Sequence, residues 1–150
     1  MKKFKWRLER VLELKQKQEE MARAELLEIT EMIAAVRKAV VARQVKLKES
    51  LEQFGKFDIS SRTLNQGWMA KSTGFMNDQI NLFKKKLVEY EEVKKQKMAK
   101  VMELRKFRKN LEKLKESAVE KYREEFKKFE QNELDDITST GRARELTASR

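Results

Sequence analysis

Three glutamates crowd together at Glu89, Glu91 and Glu92, and two aspartates adjoin at Asp135 and Asp136. Carboxylates so spaced can hold a hard cation or divide acid and base roles between them. Little else would help them. The chain has no histidine and no cysteine, which removes the commonest bases, nucleophiles and zinc ligands. No Gly-x-x-x-x-Gly-Lys-Ser/Thr or Gly-x-Gly-x-x-Gly run is present to cradle phosphates. The sequence therefore predicts no enzyme, no cofactor and no metal site, and the carboxylates read as solvated helix charge. The other chemistry is cationic: Lys84, Lys85 and Lys86, and the cluster from Arg105 to Lys109 around Phe107. Such runs can meet phosphates, but no groove-reading motif accompanies them, so no nucleic acid is expected as partner. The net charge of +11 attracts nucleic acid, anionic lipid and acidic protein alike and does not choose among them.

The elements that carry these groups follow from composition. Of 150 residues, 41% are charged and 39% hydrophobic, which allows one domain with a thin core. Proline is absent and three of the four glycines fall between Gly55 and Gly74, so little else interrupts a helix. The fold class expected is all-α: two long helices in an antiparallel coiled-coil hairpin over residues 1–134, with the second helix overhanging. The first helix is predicted over 3–54, ending at Gly55, a residue suited to the left-handed conformation past a helix end. Its seam, at spacings of four and three, is Ala22, Leu26, Ile29, Ile33, Val36, Val40, Leu47 and Phe54, interrupted by Arg43 and Ser50. Glycine, serine, threonine and asparagine over 55–67 predict the turn, with Asp58 or Ser60 able to cap a short helical stretch. The second helix is predicted over 68–131, with a seam running from Met76, Ile80, Phe83, Leu87 and Tyr90 to Ala118, Tyr122 and Phe129. Residues 135–150 lose the periodicity and are expected to form a flexible, disordered tail. No apolar run reaches the length of a signal peptide or a membrane span, which places the chain in the cytoplasm.

An antiparallel register that sets Leu47 against Met76, Val40 against Phe83 and Ile33 against Tyr90 makes good core layers. It also places Glu19, Glu20, Glu25, Glu28 and Glu31 opposite Lys94, Lys95, Lys97, Lys100 and Arg105, so the charges agree with it. Toward the termini Lys15 meets Arg108 and Leu8 meets Lys115, and that end should open most easily. Beyond Ala118 the second helix has no partner, yet Val119, Tyr122, Phe126 and Phe129 draw an apolar stripe along it. Phe4, Trp6, Leu8, Val11 and Leu12 form a second apolar cluster among Lys2, Lys3, Lys5, Arg7 and Arg10. Either these residues self-associate, or they bind another protein.

The N-terminal run from Phe4 and Trp6 into Leu8, Val11, Leu12 and Leu14, followed by a Glu- and Gln-rich stretch over 16–24, resembles the opening of the flagellar export protein FliJ family. Phe75 and Met76 with Ile80 and Leu82 are similar to that family's segment after the hairpin. Leu111 to Glu116 resembles its late second-helix motif, and Glu133 to Asp136 its acidic segment before the tail. The resemblance covers essentially the whole chain. It implies a non-catalytic component of the bacterial flagellar type III export apparatus, similar in shape to the stalk subunit of rotary ATPases. Its implied partners are the export ATPase hexamer, the export gate protein FlhA and substrate chaperones. Its implied location is cytoplasmic, peripheral at the inner face of the cell membrane at the flagellar base through the gate. The family's ATPase-binding ends fall here on Phe4, Trp6, Leu8, Val11, Val119, Tyr122, Phe126 and Phe129. Its gate-binding surface falls on Phe75, Gln79 and Leu82, with Val41 and Val45 on the first helix. Two other readings stay open: the stalk of an injectisome or another rotary ATPase, and a basic coiled coil that binds nucleic acid or membrane surfaces.

Overall fold

The structure, a computed structural model, describes residues 3–149. Lys2, counted above among the N-terminal cations, and Arg150, at the end of the expected tail, lie outside the described residues. Two helices make the fold, α1 (Glu9–Gly55) and α2 (Ile59–Ala148), and they pack against each other as an all-α hairpin with no strand among the described residues.

The element boundaries differ from the expected ones, for local reasons. Residues 3–6 are not helical and α1 begins at Glu9 rather than at residue 3. Phe4 and Trp6 are held there as half-buried anchors instead of helix positions. The turn is not 55–67 but Lys56, Phe57 and Asp58. Gly55 is the last residue of α1, and no described glycine has a positive φ, so the left-handed cap is absent. The reversal closes by other bonds. Lys56 N–H donates to the Gln53 carbonyl at 3.1 Å, Phe57 N–H to that of Phe54 at 3.2 Å, and the Arg62 guanidinium to that of Gly55. The Asp58 carbonyl accepts the Arg62 N–H at 2.8 Å, which places Asp58 at the helix-capping position favoured for aspartate.

Helix α2 therefore starts nine positions before residue 68. Its polar residues do not compete with the helix because they bond back into it: Thr63 Oγ1 donates to the Ile59 carbonyl at 2.8 Å and Asn65 Nδ2 to that of Ser61 at 3.0 Å. Gly67 and Gly74 are simply absorbed, at about 1 kcal/mol each relative to alanine. Helix α2 also continues beyond residue 131, where a tail is expected, and its hydroxyls bond back in the same way. Thr138 donates to Leu134, Thr140 to Asp136 at 2.7 Å and Thr147 to Ala143 at 3.0 Å. Every described residue from Arg123 onward is nonetheless exposed, so this stretch is a helix without a packing partner.

The chain divides into two compact units, Glu19–Glu103 and Met1–Gln18 with Leu104–Arg150, called here the central and the terminal unit. In the central unit the core follows the expected seam: Ala22, Ile29, Ile33 and Val40 from α1 are buried with Ile80 and Val101 from α2, and Met69, which lies before that seam, joins them. Full burial of such aliphatic chains contributes about 1.5–3 kcal/mol each. Arg43, an interruption in sequence, is absorbed at the seam: its guanidinium lies 4.3 Å from the Phe83 ring centroid and donates to Gln79 Oε1 at 3.3 Å. Glu19, expected among outward acids, is itself buried and accepts from Arg23 one turn on at 2.6 Å. The register agrees with the expected one where charges meet: Lys97 reaches Glu25 at 3.2 Å and Arg37 reaches Glu91 at 2.7 Å. In the terminal unit Leu12 and Leu111 are buried. Around them Lys115 bridges to Glu9 at 2.8 Å, and Lys15 lies 4.8 Å from the Phe107 ring centroid rather than against Arg108.

Candidate functional site

The terminal unit gathers most of the residues expected at the ATPase-binding end. The non-helical lead brings Phe4 against α2, where its ring is 5.3 Å from that of Tyr122 at a 52° tilt. Tyr122 stacks in turn on Phe126 at 6.3 Å and 28°. Such geometry is the favoured tilted and offset arrangement of ring quadrupoles. Three of the eight residues therefore form one aromatic cluster. Tyr122 is not an unpartnered overhang residue, since Phe4 covers it. Val119 is half-buried and lines a groove with Leu12, Gln16, Lys115 and Arg123. Trp6 is half-buried as well, whereas Leu8, Val11, Phe126 and Phe129 are each more than a third exposed.

The overhang begins at Arg123, and its first apolar residue is Phe126. From there α2 presents Phe129, Leu134, Ile137 and Leu146, the last three exposed by 63%, 68% and 70%. With the second helix expected to end at residue 131, Leu134, Ile137 and Leu146 are not among the expected site residues. The signal was present: Ile137 lies about three helical turns beyond Phe126 and therefore on the same face. Charge is mixed along this helix beside the aromatic cluster, where Lys121, Arg123, Lys127 and Lys128 alternate with Glu120, Glu124 and Glu125, all exposed; Lys3, Lys5, Arg7 and Arg10 add cations on the N-terminal side. Glu130, Glu133, Asp135 and Asp136 follow as an acidic segment. Asp135 and Asp136 stand exposed on the helix, and among the described residues no three His, Cys, Asp or Glu side chains converge to hold a metal.

The central unit divides the residues expected at the gate-binding surface. Phe75 and Gln79 line a groove with Ser72 and Met76 from α2 and Ala42, Arg43 and Lys46 from α1. Trp68, Phe75 and Leu82 recur at intervals of seven, which puts them in one column of the coiled coil, exposed by 69%, 64% and 54%. Val41 and Val45 do not line that groove. At about 100° per residue, Val45 falls on the outermost face of α1, opposite the seam. Val41 falls in the column of Lys48, which lines a groove on the other flank with Gln44, Leu51, Asn77, Asn81 and Lys84. So Phe75, Gln79 and Leu82 belong together, while Val41 and Val45 do not join them. Trp68 and Ala42 lie on the flank of Phe75 instead.

Among the described residues no helix is long and apolar enough to cross a membrane. No family model, no curated protein and no solved structure matches the chain.

Proposed function

We propose that this protein is a non-catalytic stalk and escort component of the bacterial flagellar type III export apparatus. In this reading the terminal unit binds the hexameric export ATPase, with Phe126 and Phe129 as exposed anchors and the Phe4–Tyr122 pair holding the N-terminal segment beside them. The flank carrying Phe75, Gln79 and Leu82 meets the export gate protein FlhA, which would hold the protein at the inner face of the membrane peripherally. Substrate chaperones are further partners. The observation that carries the reading is a helix that outlasts its partner while still presenting Phe126, Phe129, Leu134 and Ile137 to solvent. Large exposed apolar residues in a row mark a protein-binding site more often than a solvated surface.

The test is reconstitution with a purified flagellar export ATPase. Phe126→Ala with Phe129→Ala should abolish pull-down and stimulation of ATP hydrolysis while leaving the helical content intact. Undiminished binding would remove the terminal unit from the role. An injectisome ATPase in the same assay distinguishes the related stalk reading by which enzyme is stimulated. The exposed cations of the terminal unit favour one reading of a different class, a binder of nucleic acid or anionic membrane. That reading requires RNA or anionic-vesicle binding that falls steeply with salt, and an affinity independent of Phe126 and Phe129.

A further inference from the structure

The central unit has a second flank, opposite the one that carries Phe75. On α1, Leu27, Ala34 and Val41 recur every seven residues and form one column; on α2, Val88 and Met102 share the facing column with Lys95 between them, and Met98 stands a turn from Met102. Exposure is 60% at Leu27, 57% at Val41, 67% at Val88, 52% at Met98 and 61% at Met102. Two observations set both columns on the same flank. Arg37 and Glu91, which bridge at 2.7 Å, stand between them. The groove lined by Gln44, Lys48, Asn77, Asn81 and Lys84 continues the same columns toward the turn.

These residues are not a random scatter of apolar chains. The outermost columns of the same helices carry Glu31, Lys38 and Glu52 on α1, with Val45 the exception, and Lys71, Asp78, Lys85 and Glu92 on α2, so that face is mostly charged. Two facing apolar columns with a polar floor are the seat a third helix takes when it packs onto a helix pair at about 8–10 Å from each axis. Methionine suits such a seat because its flexible thioether adapts to the partner. The charge of the flank selects the occupant. Arg37 is neutralised by Glu91, whereas Lys48, Lys84 and Lys95 on the same flank form no ion pair among the described residues and outnumber Glu20, the one further carboxylate of the α1 column within the central unit.

We propose that this flank docks an amphipathic helix of a partner protein, its apolar stripe lying against Leu27, Val41, Val88, Met98 and Met102 and its borders acidic. The lysines supply orientation and encounter rate, and the apolar columns supply affinity. The site is independent of the terminal unit and of the Phe75 flank, so it stands whether or not the protein serves an export ATPase.

Two synthetic helical peptides with one leucine stripe, bordered by glutamate in one and lysine in the other, test this by fluorescence anisotropy on the full chain. The glutamate peptide should bind, and the lysine peptide at least about tenfold more weakly, because like charges oppose it. Leu27→Ser with Met98→Ser, both exposed and so compatible with the fold, should weaken the glutamate peptide about tenfold or more, the loss expected for well-packed anchors. Lys84→Glu with Lys95→Glu should reverse the preference, and Phe75→Ser on the other flank should change nothing. Equal binding of the two peptides overturns the proposal, as does a Phe75→Ser loss as large as that of the Leu27/Met98 pair. It is equally overturned if the chain self-associates in sedimentation and that double variant dissolves the association, since the occupant is then a second copy.

Discussion

The central and terminal units pair the same two helices by different means. In the central unit an aliphatic seam is closed by Ile29, Ile33, Val40, Ile80 and Val101, and charged residues bridge across its edges. In the terminal unit the seam positions include Lys15 and Lys115; an ion pair and a cation over a ring close it, as Arg37–Glu91 and Arg43 over Phe83 do in the central unit, and the Phe4–Tyr122–Phe126 cluster is added. The charged seam suggests an end that opens easily, yet Leu12 and Leu111 are buried there. Lys15 and Lys115 reach partners beside the seam, Phe107 and Glu9, as long cationic side chains do by snorkelling.

The largest expected effect tests where the stability lies. Ile33→Ala truncates a residue exposed by only 3% and should cost about 2–5 kcal/mol, read as a lower urea midpoint followed by circular dichroism. A loss under about 1 kcal/mol would mean that the aliphatic seam is not what holds the central unit. Smaller and more local is Phe4→Ala, which removes the ring contact with Tyr122. It should cost about 1–2 kcal/mol and release only the N-terminal segment. In a Trp68→Phe background the emission of half-buried Trp6 should then shift to the red while the main unfolding transition stays in place. If the whole transition moves instead, the two units do not differ in the way described.

Much of this was legible in the residues. The columns containing Ile29, Ile33, Val40, Ile80 and Leu111 announce their burial by spacing alone. Buried Glu19 was legible too, because counting back from Ala22 by three, four and three reaches Glu19, Lys15 and Leu12. What misled was composition. Ser, Thr and Asn between Gly55 and Gly74 look like turn formers, but Thr63 and Asn65 spend their hydrogen bonds on the preceding helical turn. The candidate surfaces were half legible. Exposed apolar residues could be found by type, but separating Val41 from Phe75 required the columns on both helices. Leu134 and Ile137 were lost once the helix was ended too early.

The glycines offer a smaller test, of α2 at the end of the stretch expected to be the turn, 55–67, and just beyond it. At Gly67 and Gly74 a Cβ would meet no atom within 4 Å, and neither has a positive φ. Alanine should therefore stabilise the protein by about 0.5–1 kcal/mol at each site, seen as a raised melting temperature. A fall in stability at either position would show that the residue is not helical and that the turn is longer than Lys56–Asp58.

The smallest effect separates seam from rim. Each unit has a cross-helix bridge of similar exposure: Lys97 and Glu25 are 31% and 45% exposed at the side chain, Lys115 and Glu9 37% and 42%. Solvent screens both, so double-mutant cycles to alanine should give coupling of about 0.2–1 kcal/mol in each. The coupling should shrink in high salt by a similar fraction in both units. Equal couplings would place the difference between the units in their apolar contacts, aliphatic in one and aromatic in the other. A markedly larger value for Lys115–Glu9 would mean that the charged seam holds the terminal unit by ion pairing, with the rings secondary, and Phe4→Ala should then cost correspondingly little.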